Sequence, residues 1–498
     1  MQGACEPDRT LLSDGKNMSI PRLVISGLSG GSGKTILSLG VARAFSRRGL
    51  KVKAFKKGPD YIDAAWLAKA AKAPQGNLDP FFCPGERLCD VFFEGSRNYD
   101  LALIEGNRGL FDGLDISGSC STSEVARILK APVLLILDCT KMTRTAAALV
   151  KGCLSFEENL TIGGVILNRT GNDRHRNIVR KAVEELTGVP VLGLLPRVTE
   201  GLIHERHMGL AGIDEHGQSE ALLDALADFI EQHTDLERIF SLAQESSKLR
   251  SMKKIPPLQS LEVSDVPPVP KPVPSPCIGY IYDAAFWFYY QENLSALEKA
   301  GARLISLSVL TQESWPEIDG LYIGGGLPEL HLQQLTKNKK IRHHIAEMAS
   351  GGLPIYAECG GFMYLSQAII HRNKQYPMAN VFPVSVSLHS KPQGLGYVEA
   401  KVVGENPYHP IGTFLRGHEF HFSAVNHENK ETHMDKGQSS LALLLSRGKG
   451  MQISQQNRYY DGLVYKNTFA SYTHIYAPSA PHWAPTFISL CNHGAKPN

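Results

Sequence analysis

The sequence lacks paired cysteines, long apolar runs and a strong excess of either charge, and each absence closes a class of function. Its 9 cysteines, at Cys5, Cys83, Cys89, Cys120, Cys139, Cys153, Cys277, Cys359 and Cys491, form no CxxC pair and no tight framework. They read as reduced thiols rather than as a disulfide or zinc scaffold. No stretch is apolar for long enough to span a bilayer, and residues 1–19 lack the apolar core of a signal peptide, so the chain reads as a cytoplasmic protein with no membrane partner. A formal charge of +3 over 498 residues gives no electrostatic case for nucleic acid. It stays compatible with a small polyanionic substrate. No internal repeat is visible.

What is present fits two substantial α/β units. With 43% hydrophobic and 20% charged residues there is material for more than one core, and length alone suggests about three domains at ~150 residues each. From Leu23, short apolar runs alternate with longer helical patterns, as in a parallel sheet covered by helices. The runs predict strands at Leu23–Ser26, Val52–Phe55, Leu101–Glu105, Val133–Asp138 and Ile162–Leu167, with helices over Lys34–Arg48 and Thr143–Leu154. A second series, Ile278–Tyr282, Ala302–Ser306, Gly320–Ile323 and Pro354–Glu358, has the same rhythm. Between the series, residues 247–276 hold eight prolines and almost no periodic apolar pattern, the composition of an extended connector. The expected division is a disordered tail at 1–19, a domain over 20–246, the linker at 247–276 and a second domain over 277–492.

The first unit carries GLSGGSGKT, Gly27 to Thr35, between a strand and a helix. Gly27, Gly31 and Gly33 let backbone N–H groups converge on phosphate oxygens, Lys34 can neutralise charge between the β and γ positions, and the Thr35 hydroxyl can ligate Mg²⁺. The strict eight-residue pattern would put the first glycine at Leu28; here it comes one place early. Asp60 and Asp63 in KKGPDYID, and Glu105 and Asp112 in IEGNRGLFDG, follow successive strands and so reach the carboxyl edge where a nucleotide binds. Each alone reads equally well as a loop cap; the set suits metal and substrate.

The second unit carries YAECGGFMY, which sets Cys359 at a sharp strand-to-helix turn. Glycines after it relieve crowding, and a helix N-terminus favours a thiolate able to attack a carboxamide carbon. The N–H groups of Gly324, Gly325 and Gly326, at the end of the strand DGLYI, are placed to hold the resulting oxyanion. Chemistry alone leaves the base open among His418 and His421 in RGHEFHFS and His474 in FASYTHIYA, because a Cys–His pair is made in space.

These pieces carry a resemblance. The early glycine, KKGPDYIDAAW, NLDPFF at Asn77 to Phe82 and EGNRGLFDG resemble the synthetase domain shared by dethiobiotin synthetase and the glutamine-dependent amidotransferases of corrin biosynthesis. GPDYID is especially similar to the cobyrinic acid a,c-diamide synthase family. YIGGGLPE, YAECGGFMYL, GHEFHFS and SYTHIY resemble the triad-type glutamine amidotransferase domain of the same enzymes. The resemblance implies a P-loop NTPase-like, dethiobiotin-synthetase-like parallel sheet followed by a class I glutamine amidotransferase-like α/β domain. It implies that Thr35, Asp60 and Glu105 hold Mg²⁺, that Lys34 meets the phosphates of ATP, and that Asn168 in GGVILNR reads its base. Tyr61, Asp63 and Asp112 would by the same resemblance face a tetrapyrrole. It selects His474 as the partner of Cys359. Two residues on, where many class I glutaminases have a glutamate, stands Tyr476, which leaves the group orienting His474 open.

The implied reaction is that of an ATP-dependent carbon–nitrogen ligase with L-glutamine as amido donor. Ammonia from glutamine would attack acyl phosphates formed on the a and c acetates of cobyrinic acid. Hydrogenobyrinic acid or nickel-sirohydrochlorin as substrate, and a cobyric acid synthase acting on other carboxylates, are competing readings. So is a nucleotide-switched regulator with an inactive glutaminase domain, against which intact Lys34, Thr35, Cys359 and His474 count. Monomer and homodimer both stay open.

Overall fold

A computed structural model describes residues 20–197, 219–246, 275–426, 440–455 and 458–494. The expected tail at 1–19, and 247–274 of the expected linker, lie outside the described residues.

Seven strands form the sheet of the first half: β1 (Arg22–Gly27), β2 (Val52–Lys57), β3 (Asn77–Leu78), β4 (Leu101–Gly109), β5 (Val133–Asp138), β6 (Ile162–Thr170) and β7 (Val191–Pro196). Their order is β3-β2-β4-β1-β5-β6-β7, and every pairing is parallel. Strands such as β1 (RLVISG) and β5 (VLLILD) are nearly continuous apolar runs because helices cover both faces. The order reverses about β1, which opens a crevice at the carboxyl edge beside its end. The chain leaving β1 enters helix α1 (Lys34–Arg47), and that leaving β2 enters helix α2 (Tyr61–Ala71). Expected strand positions agree with those found to within a few residues, but the helix expected from Thr143 starts at Thr145.

The second half has a parallel set in the order Arg303–Leu307, Cys277–Ile281, Gly320–Ile323, Ile355–Glu358 and Thr468–Ser471. The sheet then continues antiparallel through Arg458–Tyr465, Ser440–Arg447, Gly394–Val402, Phe414–His421 and His474–Ile475. That last strand returns beside the parallel set: Ile475 N donates to Glu358 Oε1 at 2.9 Å. Cys359 and His474, far apart in sequence, thus end at neighbouring strand ends. None of the described cysteines is in a disulfide, and no helix among the described residues is long and apolar enough to cross a membrane.

The halves share a core. Trp287, Phe288, Tyr290 and Tyr476 belong to the same buried cluster as Leu78, Phe81 and Phe82. Polar contacts frame it. Tyr476 Oη donates to Asn77 O at 2.9 Å, Tyr397 Oη to Asp79 Oδ2 at 2.5 Å, and Arg416 to Phe81 O at 3.1 Å, while Lys57 Nζ lies 3.8 Å from Asp79 Oδ2. Burying one such ring contributes about 1.5–3 kcal/mol, so the cluster holds the halves face to face.

Candidate functional site

The phosphate turn is built by close packing. A Cβ on Gly27 would lie 2.1 Å from Ser32 Oγ, so the early glycine is required by the loop's own closure. Gly31 (φ +72°) and Gly33 (φ +99°) occupy the left-handed region, where other residues are strained. Gly33 is the residue before α1, and a Cβ on it would sit 2.4 Å from Asn168 Nδ2. Asn168 lies at the end of β6 and donates to Ser32 O at 2.8 Å, which supports the loop from below. Lys34 Nζ lies back across the loop and donates to Ser29 O at 2.8 Å; burial, with Lys56 nearby, lowers its pKa.

Beside the turn is a compact charge network. Thr35 Oγ1 donates to Glu105 Oε1 at 2.8 Å, and Lys56 Nζ reaches Glu105 Oε1 at 2.7 Å and Asp63 Oδ2 at 2.5 Å. Burial alone would lower the pKa of Lys56, but Glu105 and Asp63 together raise it, so it stays charged. Asp60 caps α2 by accepting from Asp63 N at 2.9 Å; burial and the adjacent Asp63 push its carboxyl up to about 6. Asp112 Oδ2 accepts from Gly109 N at 2.9 Å.

Glu105 Oε2 is buried without a hydrogen-bond partner, and the surrounding donors are hard oxygens, as Mg²⁺ prefers. Among the described residues no group of three or more His, Cys, Asp or Glu side chains is arranged as a metal cage. An ion held by Thr35, Asp60 and Glu105 would therefore complete its shell with phosphate and water oxygens, the usual habit of Mg²⁺.

Cys359 sits between the strand Ile355–Glu358 and the short helix Gly360–Leu365, at φ +48° and ψ −101°. Such a conformation in a non-glycine residue costs about 1–3 kcal/mol and is retained where the surroundings fix it. Gly360 and Gly361 let the GGG segment approach: Cβ atoms there would meet Gly326 N at 3.0 Å and Ile323 O at 2.4 Å. Two expectations are corrected here. Burial pushes the Cys359 thiol up and Glu329 adds to the effect, outweighing the Gly360 N–H at the start of the six-residue helix. Gly324 N–H is committed to Tyr289 Oη at 2.7 Å, which leaves Gly325 and Gly326 as oxyanion candidates. Gly360 N–H, beside the sulfur, joins them.

The three histidines separate by their partners. His421 Nδ1 donates to Ser423 O at 2.7 Å and its ring stacks on Tyr472. His418 Nδ1 meets Tyr290 Oη at 3.1 Å, and burial, with His474 adjacent, drives its pKa well below the ordinary value. His474 lies against Gly325, where a Cβ would be 2.4 Å from His474 Cε1. Its Nδ1 is 3.2 Å from Tyr61 Oη and 3.7 Å from Glu358 Oε2. Cys359 Sγ is directed to Phe420 O at 3.8 Å. Tyr476, in the place of the usual orienting glutamate, points away to Asn77.

A cavity of about 490 Å³ lies between the halves. Asp60, Tyr61 and Asp112 line it from the first half, Phe420 and His474 from the second. Asp63 does not line it; that carboxylate is turned to Lys56.

Lys56, Glu358 and Gly360 are site residues that sequence reasoning missed. A lysine in a covered parallel strand is costly unless paired, so KK running into GPDYID carried a signal for Lys56. Glu358 was legible only as the residue before Cys359.

Residues 23–208 match the family described as the CobQ/CobB/MinD/ParA nucleotide binding domain, and residues 277–481 the CobB/CobQ-like glutamine amidotransferase domain. A protein of Magnetococcus marinus named cobyrinate a,c-diamide synthase is 40% identical over 467 residues, 94% of this chain and 96% of its own length. Proteins of the same name from Dehalococcoides mccartyi and Picrophilus torridus are 39% and 36% identical, each over 95% of this chain and over 98% and 99% of their own lengths.

Proposed function

The chain belongs to the cobyrinate a,c-diamide synthase family, and from that premise we propose that it uses ATP and glutamine to convert the a and c acetates of cobyrinic acid to amides in cobalamin biosynthesis. Residues 20–246 form the synthetase unit and 277–492 the glutaminase unit. The observation that carries this reading is the cavity whose walls include both Asp60 and Asp112 of the nucleotide side and His474 of the thiol side.

In the glutaminase unit, His474 Nε2 takes the proton of Cys359 and the thiolate attacks the carboxamide carbon of glutamine. N–H groups of Gly325, Gly326 and Gly360 hold the oxyanion, and His474 returns the proton to the departing ammonia. Water then cleaves the thioester, releasing glutamate and restoring the thiol.

In the synthetase unit, Lys34 would meet the β and γ phosphates, and Asn168, whose amide supports the loop at Ser32 O, would border the base. Thr35, Asp60 and Glu105 would hold Mg²⁺, which when bound offsets phosphate charge. Lys56 keeps Glu105 and Asp63 paired, and Tyr61 and Asp112 border the tetrapyrrole. A substrate carboxylate oxygen attacks the γ-phosphorus and ADP leaves; ammonia then attacks the acyl carbon and phosphate leaves. Ammonia is mostly protonated at neutral pH and is then no nucleophile. Release toward the cavity lined by His474, Asp60 and Asp112 would deliver it before solvent protonates it.

Mass spectrometry of products from ATP, Mg²⁺ and glutamine with cobyrinic acid, hydrogenobyrinic acid or nickel-sirohydrochlorin in parallel tests the assignment. The expected product is the a,c-diamide of cobyrinic acid. Amidation at other carboxylates, or preference for another tetrapyrrole, would replace the substrate; no glutamine-dependent ATP turnover with any of them would favour a regulator.

A further inference from the structure

Lys57, Arg108 and Arg447 also line the cavity between the halves, and the protein itself uses the charge of only one of them. Lys57, at the end of β2, is buried and committed, with Nζ 3.4 Å from Tyr397 Oη and 3.8 Å from Asp79 Oδ2. Arg108 and Arg447 are exposed, and among the described residues neither makes a hydrogen bond or an ion pair. Arg108 lies three residues after Glu105 in β4, at φ +53°, a conformation that a non-glycine residue keeps where its surroundings fix it. Arg447 ends the strand Ser440–Arg447, and its guanidinium carbon is 5.9 Å from the centre of the Tyr397 ring. Glu399, which faces Arg447 across the ladder, has its carboxylate 3.8 Å from Arg416 instead.

The acids of the cavity wall are satisfied elsewhere. Asp60 accepts from Asp63 N and Asp112 from Gly109 N, while Glu419 accepts from Lys449 N at 2.7 Å and Gly450 N at 2.8 Å. Two positive charges are therefore left over on the wall, and unpaired cations lining a cleft draw anions into it. Much of the remaining wall is apolar, with Ile62, Leu114, Phe288, Leu395 and Phe420. Leu395 and Phe420 are 68% and 48% exposed, so apolar surface stays uncovered beside those charges.

Such a wall fits a ligand with an apolar body and an anionic rim. A guanidinium stays charged, and its planar fork holds a carboxylate by two parallel hydrogen bonds. The tetrapyrrole of the reaction assigned above has that form, a wide ring whose edge carries carboxylates of which only the a and c acetates react. The reacting acetate has to reach the phosphate turn, so carboxylates that do not react need holding elsewhere. We propose that Arg108 and Arg447, one from each half, are specificity-determining residues that bind non-reacting carboxylates of the tetrapyrrole. The inference rests on the tetrapyrrole reading of the cavity.

The test measures amidation by the full-length protein in wild type, Arg108→Met and Arg447→Met, with cobyrinic acid and with a derivative in which every carboxylate except a and c is already a primary amide. Methionine keeps an apolar stem and removes the charge. Each substitution should raise KM for cobyrinic acid roughly tenfold or more, the lower end of what a charge-assisted hydrogen bond contributes, with kcat and the KM for ATP little changed. A structural role would lower kcat as well, and a role on the phosphates would raise the KM for ATP; either result overturns the proposal. The derivative gives a readout that needs no variant to fold. Its KM with wild type should exceed that of cobyrinic acid by a similar factor, and the substitutions should raise it no further. Equal wild-type KM values for the two compounds, or a full further rise in the variants, would overturn the proposal. If wild type amidates no tetrapyrrole, the assigned activity fails and this inference with it, whereas an amidating enzyme whose KM ignores both substitutions sinks the inference alone.

Discussion

The turn at Gly27–Thr35 and the turn at Glu358–Gly361 are both places where a parallel strand runs into a helix N-terminus, yet they meet burial in opposite ways. The first gathers charge and pairs it: Lys56 spans Glu105 and Asp63, and Thr35 fills a second position on Glu105. The second buries its nucleophile near carboxylates and no paired cation, which pushes the thiol up, and the Nδ1 of its histidine faces both Tyr61 and Glu358. A charge network can be assembled before ligand arrives because its partners offset one another. The buried thiol has no paired charge of that kind, so its activation rests on His474 taking its proton.

Lys56→Met should break the comparison hardest. Removing the cation strands two carboxylates, and losing one member of a buried ion pair costs about 3–5 kcal/mol. Urea denaturation should show that loss, and amidation should fail with glutamine and with ammonium alike. A stability change under about 1 kcal/mol, the size of a surface pair, would mean that the network is not prepaired. Glu358→Gln should produce a smaller and more local effect. It neutralises the carboxylate 3.7 Å from His474 Nδ1, so the imidazolium formed during turnover loses a charged partner worth about 1.5–3 kcal/mol or roughly ten- to hundredfold in rate. Glutamine-dependent turnover should fall by that factor while ammonium-dependent amidation is unchanged. Loss of both would show that Glu358 holds the fold rather than the imidazole.

The same contrast explains what was legible in the sequence. The phosphate turn and the acids at β2 and β4 ends could be read because each lies within a few residues of a strand recognisable by its apolar run. Cys359 could be read for the same reason. Its partner could not, since His474 arrives from beyond a series of antiparallel strands whose pairing no local pattern announces. Tyr61 was legible as part of GPDYID, a segment read for its substrate. Its contact with His474 depends on how the two halves dock, which is written in scattered aromatic residues such as Phe82, Phe288, Tyr290 and Tyr476. Gly324 was misassigned because a glycine's N–H looks free in sequence, while the hydroxyl that takes it, on Tyr289, comes from another strand's end.

The central claim is that nitrogen passes inside the molecule from the thiol site to the nucleotide site. The most direct measurement follows the product's amide nitrogen when amide-labelled glutamine reacts with cobyrinic acid and ATP in excess unlabelled ammonium. Product that keeps nearly all the label is the predicted result. Label diluted to the level of the surrounding ammonium would mean that ammonia leaves the protein before it reacts, and would contradict the account.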